Sequence, residues 1–346
     1  MESLVVICPR DGDSPRLDGV LQTLLRGRCC TLIQRAEELR PVHGAHILFA
    51  VSVWDEGVNL TYYAMLGKIR SQPDFFEGCT GALVVDGSCE LYTKALAREL
   101  VFAANRAGCA FIGKPLVEAT GSLQNFAVRA RLLGTDASGA YTACVEELLE
   151  RLLAFAPPRP AHPRLLVLHA SNRRTSNTLA LWEAVCQRLG DRVETEEISL
   201  RNGALLDCNG CEYHACLHFG EKGSCFYGGV IVDQVYPALQ AADGVLWLCP
   251  NYNDALAANL TACINRLTAL FRATPFYDKA LYGIVVSGYS GGDIVAQQLI
   301  SSLCMNKAFW LPPRFSLLET ANDAGTAIRL PGIEERLAAF ADHLLL

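Results

Sequence analysis

Nine residues, 156–164, read APPRPAHPR and hold four prolines. Proline lacks an amide donor and disfavours helix in the residue before it, so this stretch reads as an extended connector. It divides the chain into two halves, 1–158 and 159–346. Strand-sized apolar runs alternate with helix-period patterns on both sides of it. Downstream, strands are expected at 165–170, 193–200, 244–249, 281–287 and 314–318. Helices are expected at 177–190, 230–241, 255–271, 292–306 and 333–345, with a cysteine-rich loop at 207–229. Upstream, strands are expected at 4–8, 29–34, 46–53, 80–86 and 109–117. Helices there fall at 17–26, 59–71, 93–107, 123–134 and 139–155. Strands separated by helices call for a parallel sheet covered on both faces. Right-handed crossovers leave few topologies. The expected fold is two tandem three-layer α/β/α domains, each with a five-stranded parallel sheet in the order 2-1-3-4-5.

The halves also align weakly with each other. A shift of 200 places Asn59, Leu60 and Thr61 on Asn259, Leu260 and Thr261. A shift of 201 places Val84, Val85 and Gly87 on Val285, Val286 and Gly288. A shift of 198 places Ala110, Phe111 and Pro115 on Ala308, Phe309 and Pro313. The nearly constant offset reads as duplication, which concerns architecture and not activity.

Composition narrows the class. Hydrophobic residues make up 51% and charged residues 19% of 346, enough for packed cores. The net charge of −6 is spread without a basic stripe, so a nucleic-acid partner is not expected. No apolar run reaches the roughly 18 residues of a spanning helix, and no membrane association is expected. The first residues lack a basic leader, so a cytoplasmic setting is expected. In a reducing compartment, clustered cysteines are read first as metal or redox groups. The sequons at Asn59 and Asn259 would then carry no glycan.

The first downstream strand runs into Ser171-Asn172-Arg173-Arg174-Thr175-Ser176-Asn177-Thr178 and then a helix. Unpaired amides and the helix dipole at such a turn favour an anion. Ser171, Thr175, Ser176 and Thr178 add hydroxyls, and Arg173 or Arg174 adds positive charge. Capping of the helix by Ser176 or Asn177 is the plainer reading of the same residues. The corresponding upstream turn holds Asp11, Asp13 and Pro15, which would repel a phosphate and remove an amide. Phosphate binding is therefore expected downstream only.

Three downstream loops together resemble the NADPH-dependent FMN reductase and iron–sulfur flavoprotein family, which has the flavodoxin-like fold. The first motif is Ser171, Arg173, Ser176, Asn177 and Thr178. The second is Pro250-Asn251-Tyr252-Asn253, followed by Asn265-Arg266, where the family's usual Asp is Asn. The third is Ser287-Gly288-Tyr289-Ser290-Gly291-Gly292. The resemblance covers the downstream half; upstream it extends to fold alone. It implies FMN, with its phosphate on 171–178 and its ring between loops 250–254 and 288–292. Glycines 288, 291 and 292 would let backbone approach a flat ring. Tyr252 would pack at that ring and Asn253 would bond its polar edge. A turn at Gly291-Gly292 and a helix cap at Asn253 or Asp254 are the competing readings.

Cys208, Cys211, Cys216 and Cys225 are spaced C-x2-C-x4-C-x8-C. Four thiolates can hold a metal or an iron–sulfur cluster. The resemblance points to a 4Fe-4S cluster, although the spacing departs from the family's tighter start. His214 and His218 leave zinc open, and an ordinary structural loop is the third reading. Cys186, Cys249, Cys263 and Cys304 are expected in the core. His169 is expected to be packed and hydrogen-bonded.

The resulting expectation is an FMN-dependent oxidoreductase. NAD(P)H would supply hydride, and a small-molecule or protein acceptor would receive the electrons. No protein nucleophile is required. The alternatives are an iron–sulfur flavoprotein in electron transfer and a non-catalytic flavin-binding protein. Homodimerisation is expected from the resemblance.

Overall fold

The computed structural model describes residues 3–201 and 205–345. The chain divides into two compact units, Met1–Ala156 and Pro157–Leu346.

In the first unit β1 (Leu4–Ile7), α1 (Pro15–Leu25), β2 (Cys30–Ile33), β3 (His46–Val53) and α2 (Leu60–Arg70) come in turn. They are followed by β4 (Thr80–Gly87), α3 (Thr93–Arg106), β5 (Ala110–Ala119), α4 (Ala127–Leu133) and α5 (Ala137–Leu153). The sheet order is β2-β1-β3-β4-β5, and every pairing is parallel. Every residue of β3 is buried. A central parallel strand covered on both faces must be apolar throughout, and HILFAVSV nearly is. Phe49 meets Phe76 edge-on at 5.7 Å and stacks with Phe111 at 6.2 Å on one face. Leu48 and Ala50 point to the other, toward Tyr141, Val145 and Leu148 of α5.

The second unit comprises β6 (Arg164–His169), α6 (Asn177–Leu189), β7 (Glu194–Ser199), α7 (Tyr213–Glu221), α8 (Tyr236–Ala241) and β8 (Gly244–Pro250). It continues with α9 (Ala258–Ala273), β9 (Ala280–Ser287), α10 (Gly292–Leu299), β10 (Ser316–Thr320) and α11 (Ile333–His343). Its order, β7-β6-β8-β9-β10, is again all parallel. Both sheets thus have the flavodoxin-like order 2-1-3-4-5. Wide π-helical turns at Ile231–Val235 and Ile300–Met305 lead into α8 and extend α10. No helix among the described residues is long and apolar enough to cross a membrane.

Three expectations need correction. The cysteine-rich segment is not all loop: α7 occupies its middle. The helix expected from 255 starts at 258. Tyr252 and Ala255 form a bridge with Asn253 and Asp254 both left-handed (φ 55° and 56°), which is a tight I′-type turn and not a helix cap. The Asn-Leu-Thr triplets also sit in different registers. Asn59 caps α2, accepting from Tyr62 N at 2.8 Å, whereas Asn259 lies inside α9 and donates to Leu200 O at 2.6 Å.

The internal repeat has a clearer structural mark. β5 pairs at Thr80–Ala110 and Gly81–Phe111, then leaves register before resuming at Leu83–Leu116. In the second unit Ala280 bridges Trp310, and the last strand resumes only at Gly283–Ser316. The same excursion carries left-handed residues at Gly108 and Lys114 in one unit and at Ala308 and Arg314 in the other. Members of each pair stand two hundred positions apart. Left-handed backbone is costly for Lys, Ala and Arg, so its recurrence reflects a shared design.

Candidate functional site

β6 ends at His169, and the chain turns through 171–176 before α6. Two backbone bonds, Thr175 N and Ser176 N to Asn172 O, close this turn at 3.2 and 3.0 Å. Ser176 is the N-cap of α6, and its Oγ accepts from Leu179 N at 3.2 Å. The capping reading is therefore correct for Ser176. The first amides of α6, at Asn177 and Thr178, have no helical partner by construction.

A cavity of about 600 Å³ opens at this helix start. The first loop contributes Asn172, Thr175, Ser176, Asn177 and Thr178. The loop after β8 contributes Pro250 to Asp254, and the end of β9 contributes Val286, Gly288, Tyr289 and Ser290. Ala321 and Asn322, after β10, complete the lining. The crevice lies at the carboxyl ends of the strands, where open α/β sheets place ligands. Its volume suits a cofactor or drug-sized ligand.

Ten of the expected binding residues line this cavity: Thr175, Ser176, Asn177, Thr178, Pro250, Asn251, Tyr252, Asn253, Gly288 and Tyr289. Five do not. Ser171 is buried beneath the turn, with its Oγ 3.3 Å from Thr178 Oγ1. Arg173 turns away, its guanidinium paired with Glu197 and 4.0 Å from Glu183. Ser287 Oγ accepts from Asn251 Nδ2 at 3.1 Å. Gly291 and Gly292 lie behind the lining. Gly291 has φ 92°, and a Cβ there would run into Asp254 Oδ1. Its lack of a side chain makes room for the neighbouring turn and not for a ring.

Sequence reasoning placed Asp254 in a ring-flanking loop without a binding role, and it missed the whole fourth loop. The signal for that loop is structural: Asn177 Nδ2 donates to Ala321 O at 3.3 Å and to Asp323 O at 2.9 Å, and Asn177 Oδ1 accepts from Ala327 N at 3.3 Å. Asn177 thus binds the fourth loop to the start of α6. Asn251 orders the second loop similarly. Its Nδ2 donates to Asp254 Oδ1 at 3.2 Å and to Ser290 O at 3.3 Å. Its Oδ1 is buried with no hydrogen-bond partner. His169 is buried below the turn. Its Nδ1 accepts from Ser171 N at 3.3 Å, and its Nε2 is 3.2 Å from Glu197 Oε1. Burial holds its pKa below the ordinary histidine value, against the pull of Glu197.

The donor set fits a phosphate-bearing planar cofactor. Hydroxyls, amides and a helix start line one end, and Gly288 and two tyrosines line the other. Among the described residues the lining has no cationic side chain, so an anion here would rest on neutral donors and the α6 dipole.

The equivalent place in the first unit is filled. Arg16, in the first turn of α1, crosses to the end of β4. It donates to Asp86 at 2.8 Å, Gly87 O at 2.7 Å and Thr120 O at 3.0 Å. Trp54, after β3, donates to Asp11 O at 3.1 Å and lies over Gly12.

Of the four cysteines, Cys216 lies on α7. Its thiol pKa is raised, chiefly by burial and further by Cys208, Cys211 and Cys225, while Arg272 lowers it. Cys211 Sγ donates to Tyr227 Oη at 3.9 Å. Arg266, only 2% exposed, holds the segment by donating to Gly228 O at 2.7 Å. Asn265 donates to Asp207 Oδ1 at 3.0 Å. The Asn265-Arg266 pair thus anchors the cysteine segment and does not line the cavity. No group of three or more His, Cys, Asp or Glu side chains among the described residues is arranged to hold a metal ion.

Residues 163–323 match the family NADPH-dependent FMN reductase. That match lies within the second unit and covers most of it. An iron–sulfur flavoprotein of Archaeoglobus fulgidus is 27% identical over 146 residues, covering 40% of this chain and 70% of that protein. Among solved structures, an NADH:FMN oxidoreductase in its apo form is 16% identical over 53% of this chain and 88% of its own, with a TM-score of 0.37. An azoreductase from Bacillus anthracis is 16% identical over 53% of this chain and 97% of its own, with a TM-score of 0.38.

Proposed function

We propose that the second unit binds FMN in this cavity and acts as an oxidoreductase, passing electrons from NAD(P)H to an acceptor. The observation that carries this reading is the convergence of the α6 start and three further strand-end loops on one cavity of about 600 Å³. The match of residues 163–323 to the NADPH-dependent FMN reductase family supports it. Thr175, Ser176 and Thr178, with the first amides of α6, would hold the phosphate. Pro250 to Asn253 and Gly288 to Tyr289 would hold the ring. Bound FMN supplies the hydride and electron chemistry. The chain contributes binding and orientation. Asn177 fixes the fourth loop, and Asn251 fixes the second against the third. The test is to load the full chain with FMN, measure its fluorescence quenching, and follow oxidation of NADH and NADPH. A chain that takes up no FMN refutes the reading. Uptake without nucleotide oxidation leaves a flavin-binding protein.

A second reading adds a 4Fe-4S cluster at Cys208, Cys211, Cys216 and Cys225, and electron exchange with a protein partner. The 27% identity over 146 residues to an iron–sulfur flavoprotein of Archaeoglobus fulgidus favours it, while the four thiols among the described residues are not grouped to hold a metal. Iron and acid-labile sulfide, measured on anaerobically purified protein, decide it. Their absence, with FMN turnover intact, leaves the segment a structural one.

A further inference from the structure

Among the described residues, Asp254 is the single charged one lining the cavity. It is exposed, and no Lys, Arg or His among the described residues forms an ion pair with it. Its position is nevertheless fixed. Its Oδ1 accepts from Asn251 Nδ2 at 3.2 Å, and its backbone carbonyl accepts from Gln298 Nε2 at 2.8 Å. Gly291 leaves the room its carboxylate occupies. Its backbone is left-handed, at φ 56°. The turn thus presents a fixed, unneutralised negative charge at the mouth of a cavity that offers no cation. Beside it stand Tyr252 and Tyr289, 61% and 79% exposed, two aromatic faces at the rim.

From this we infer that Asp254 determines which electron acceptors enter: it admits uncharged or cationic planar aromatic acceptors and rejects anionic ones. The inference rests on the FMN reading above and adds to it the chemical class of the second substrate. Discrimination by a fixed like charge works through repulsion of the wrong ligand, and solvent and salt screen it. Tyr252 and Tyr289 provide apolar faces suited to a flat ring. For a quinone the overall reaction balances as NAD(P)H, one proton and quinone giving NAD(P)⁺ and hydroquinone. NAD(P)H is the reductant, and solvent supplies the added proton.

The experiment uses the FMN-loaded full chain without reductant. It is titrated with a naphthoquinone and with the same ring bearing a sulfonate, and perturbation of the flavin absorption is read. The sulfonate is expected to bind about tenfold more weakly in about 20 mM salt, with the gap narrowing in about 500 mM salt. Asp254→Asn should close the gap at low salt. Asn tolerates the left-handed backbone and still accepts from Asn251, so the turn is retained. Equal affinities in the native protein overturn the inference, as does a gap that survives in D254N. A chain that takes up no FMN overturns the underlying reading, and the inference with it, and is recognised before any quinone is added.

Discussion

The side-chain amide of Asn177 donates to the backbone carbonyl of Asp323 at 2.9 Å, joining the first helix turn of the second unit to the loop after its last strand. With its further bonds to Ala321 and Ala327, this one side chain closes the cavity's fourth wall. Asn177→Ala leaves those backbone groups without partners, at a cost of about 2 kcal/mol. The melting temperature of the unit should fall by about 4–8 °C. FMN affinity should fall as well, because Ala321 and Asn322 lose their support. Calorimetry and flavin titration on one sample check both.

Ser176 permits a separation of stability from binding. Ser176→Asp keeps a good N-cap, so the melting temperature should hold, whereas Ser176→Ala should cost about 1 kcal/mol. The introduced carboxylate would stand where the phosphate is proposed to bind. FMN affinity of S176D should drop at least tenfold, by an estimate of about 1.4 kcal/mol of like-charge repulsion. Riboflavin, which lacks the phosphate, should lose much less. Equal losses for the two flavins would place the phosphate elsewhere.

His169 gives a pH signature. Burial lowers its folded-state pKa below the ordinary value of 6.5, so the unfolded chain binds the proton more readily. Its contribution to stability is full above that unfolded value and is lost as pH falls through the folded one. Urea midpoints of the native protein should therefore decline below about pH 6.5. The decline should be shallower in His169→Gln.

Removing Arg16 tests the independence of the two units. Arg16→Ala leaves Asp86, nearly buried, without its ionic partner. The first unit should lose about 3 kcal/mol. FMN affinity should stay within about twofold of the native value, because every residue lining the cavity belongs to the second unit. A large change in flavin affinity would show that the first unit contributes to the site.

Much of the architecture is legible in the sequence because parallel strands buried on both faces leave continuous apolar runs. β3 is found at the residues its hydrophobic pattern gives, 46–53. The turn at 171–178 is legible for a similar reason: a polar stretch between a strand and a helix has few places to go. What its side chains do there is less so. Arg173 reads as available for an anion until Glu197, on the neighbouring strand β7, is seen to take it. The helix at Tyr213–Glu221 is hidden by its one cysteine and its glycine, set in a segment with three further cysteines that invites a loop reading. The fourth loop carries no local signature, since Ala321 and Asn322 matter only through a contact with Asn177. The Asn253-Asp254 pair does carry one: such residues favour left-handed backbone, and their adjacency marks a tight hairpin turn.

The guanidinium of Arg16 stands across the first unit as a latch across a door that the second unit leaves open. Restoring ligand binding there would demand at least two coordinated changes. Deleting the latch alone would expose the Asp86 carboxylate to any incoming phosphate, and neutralising Asp86 alone would strand the cation. Each single step loses stability before anything is gained, so the closed half sits in a trap that point mutation does not easily leave.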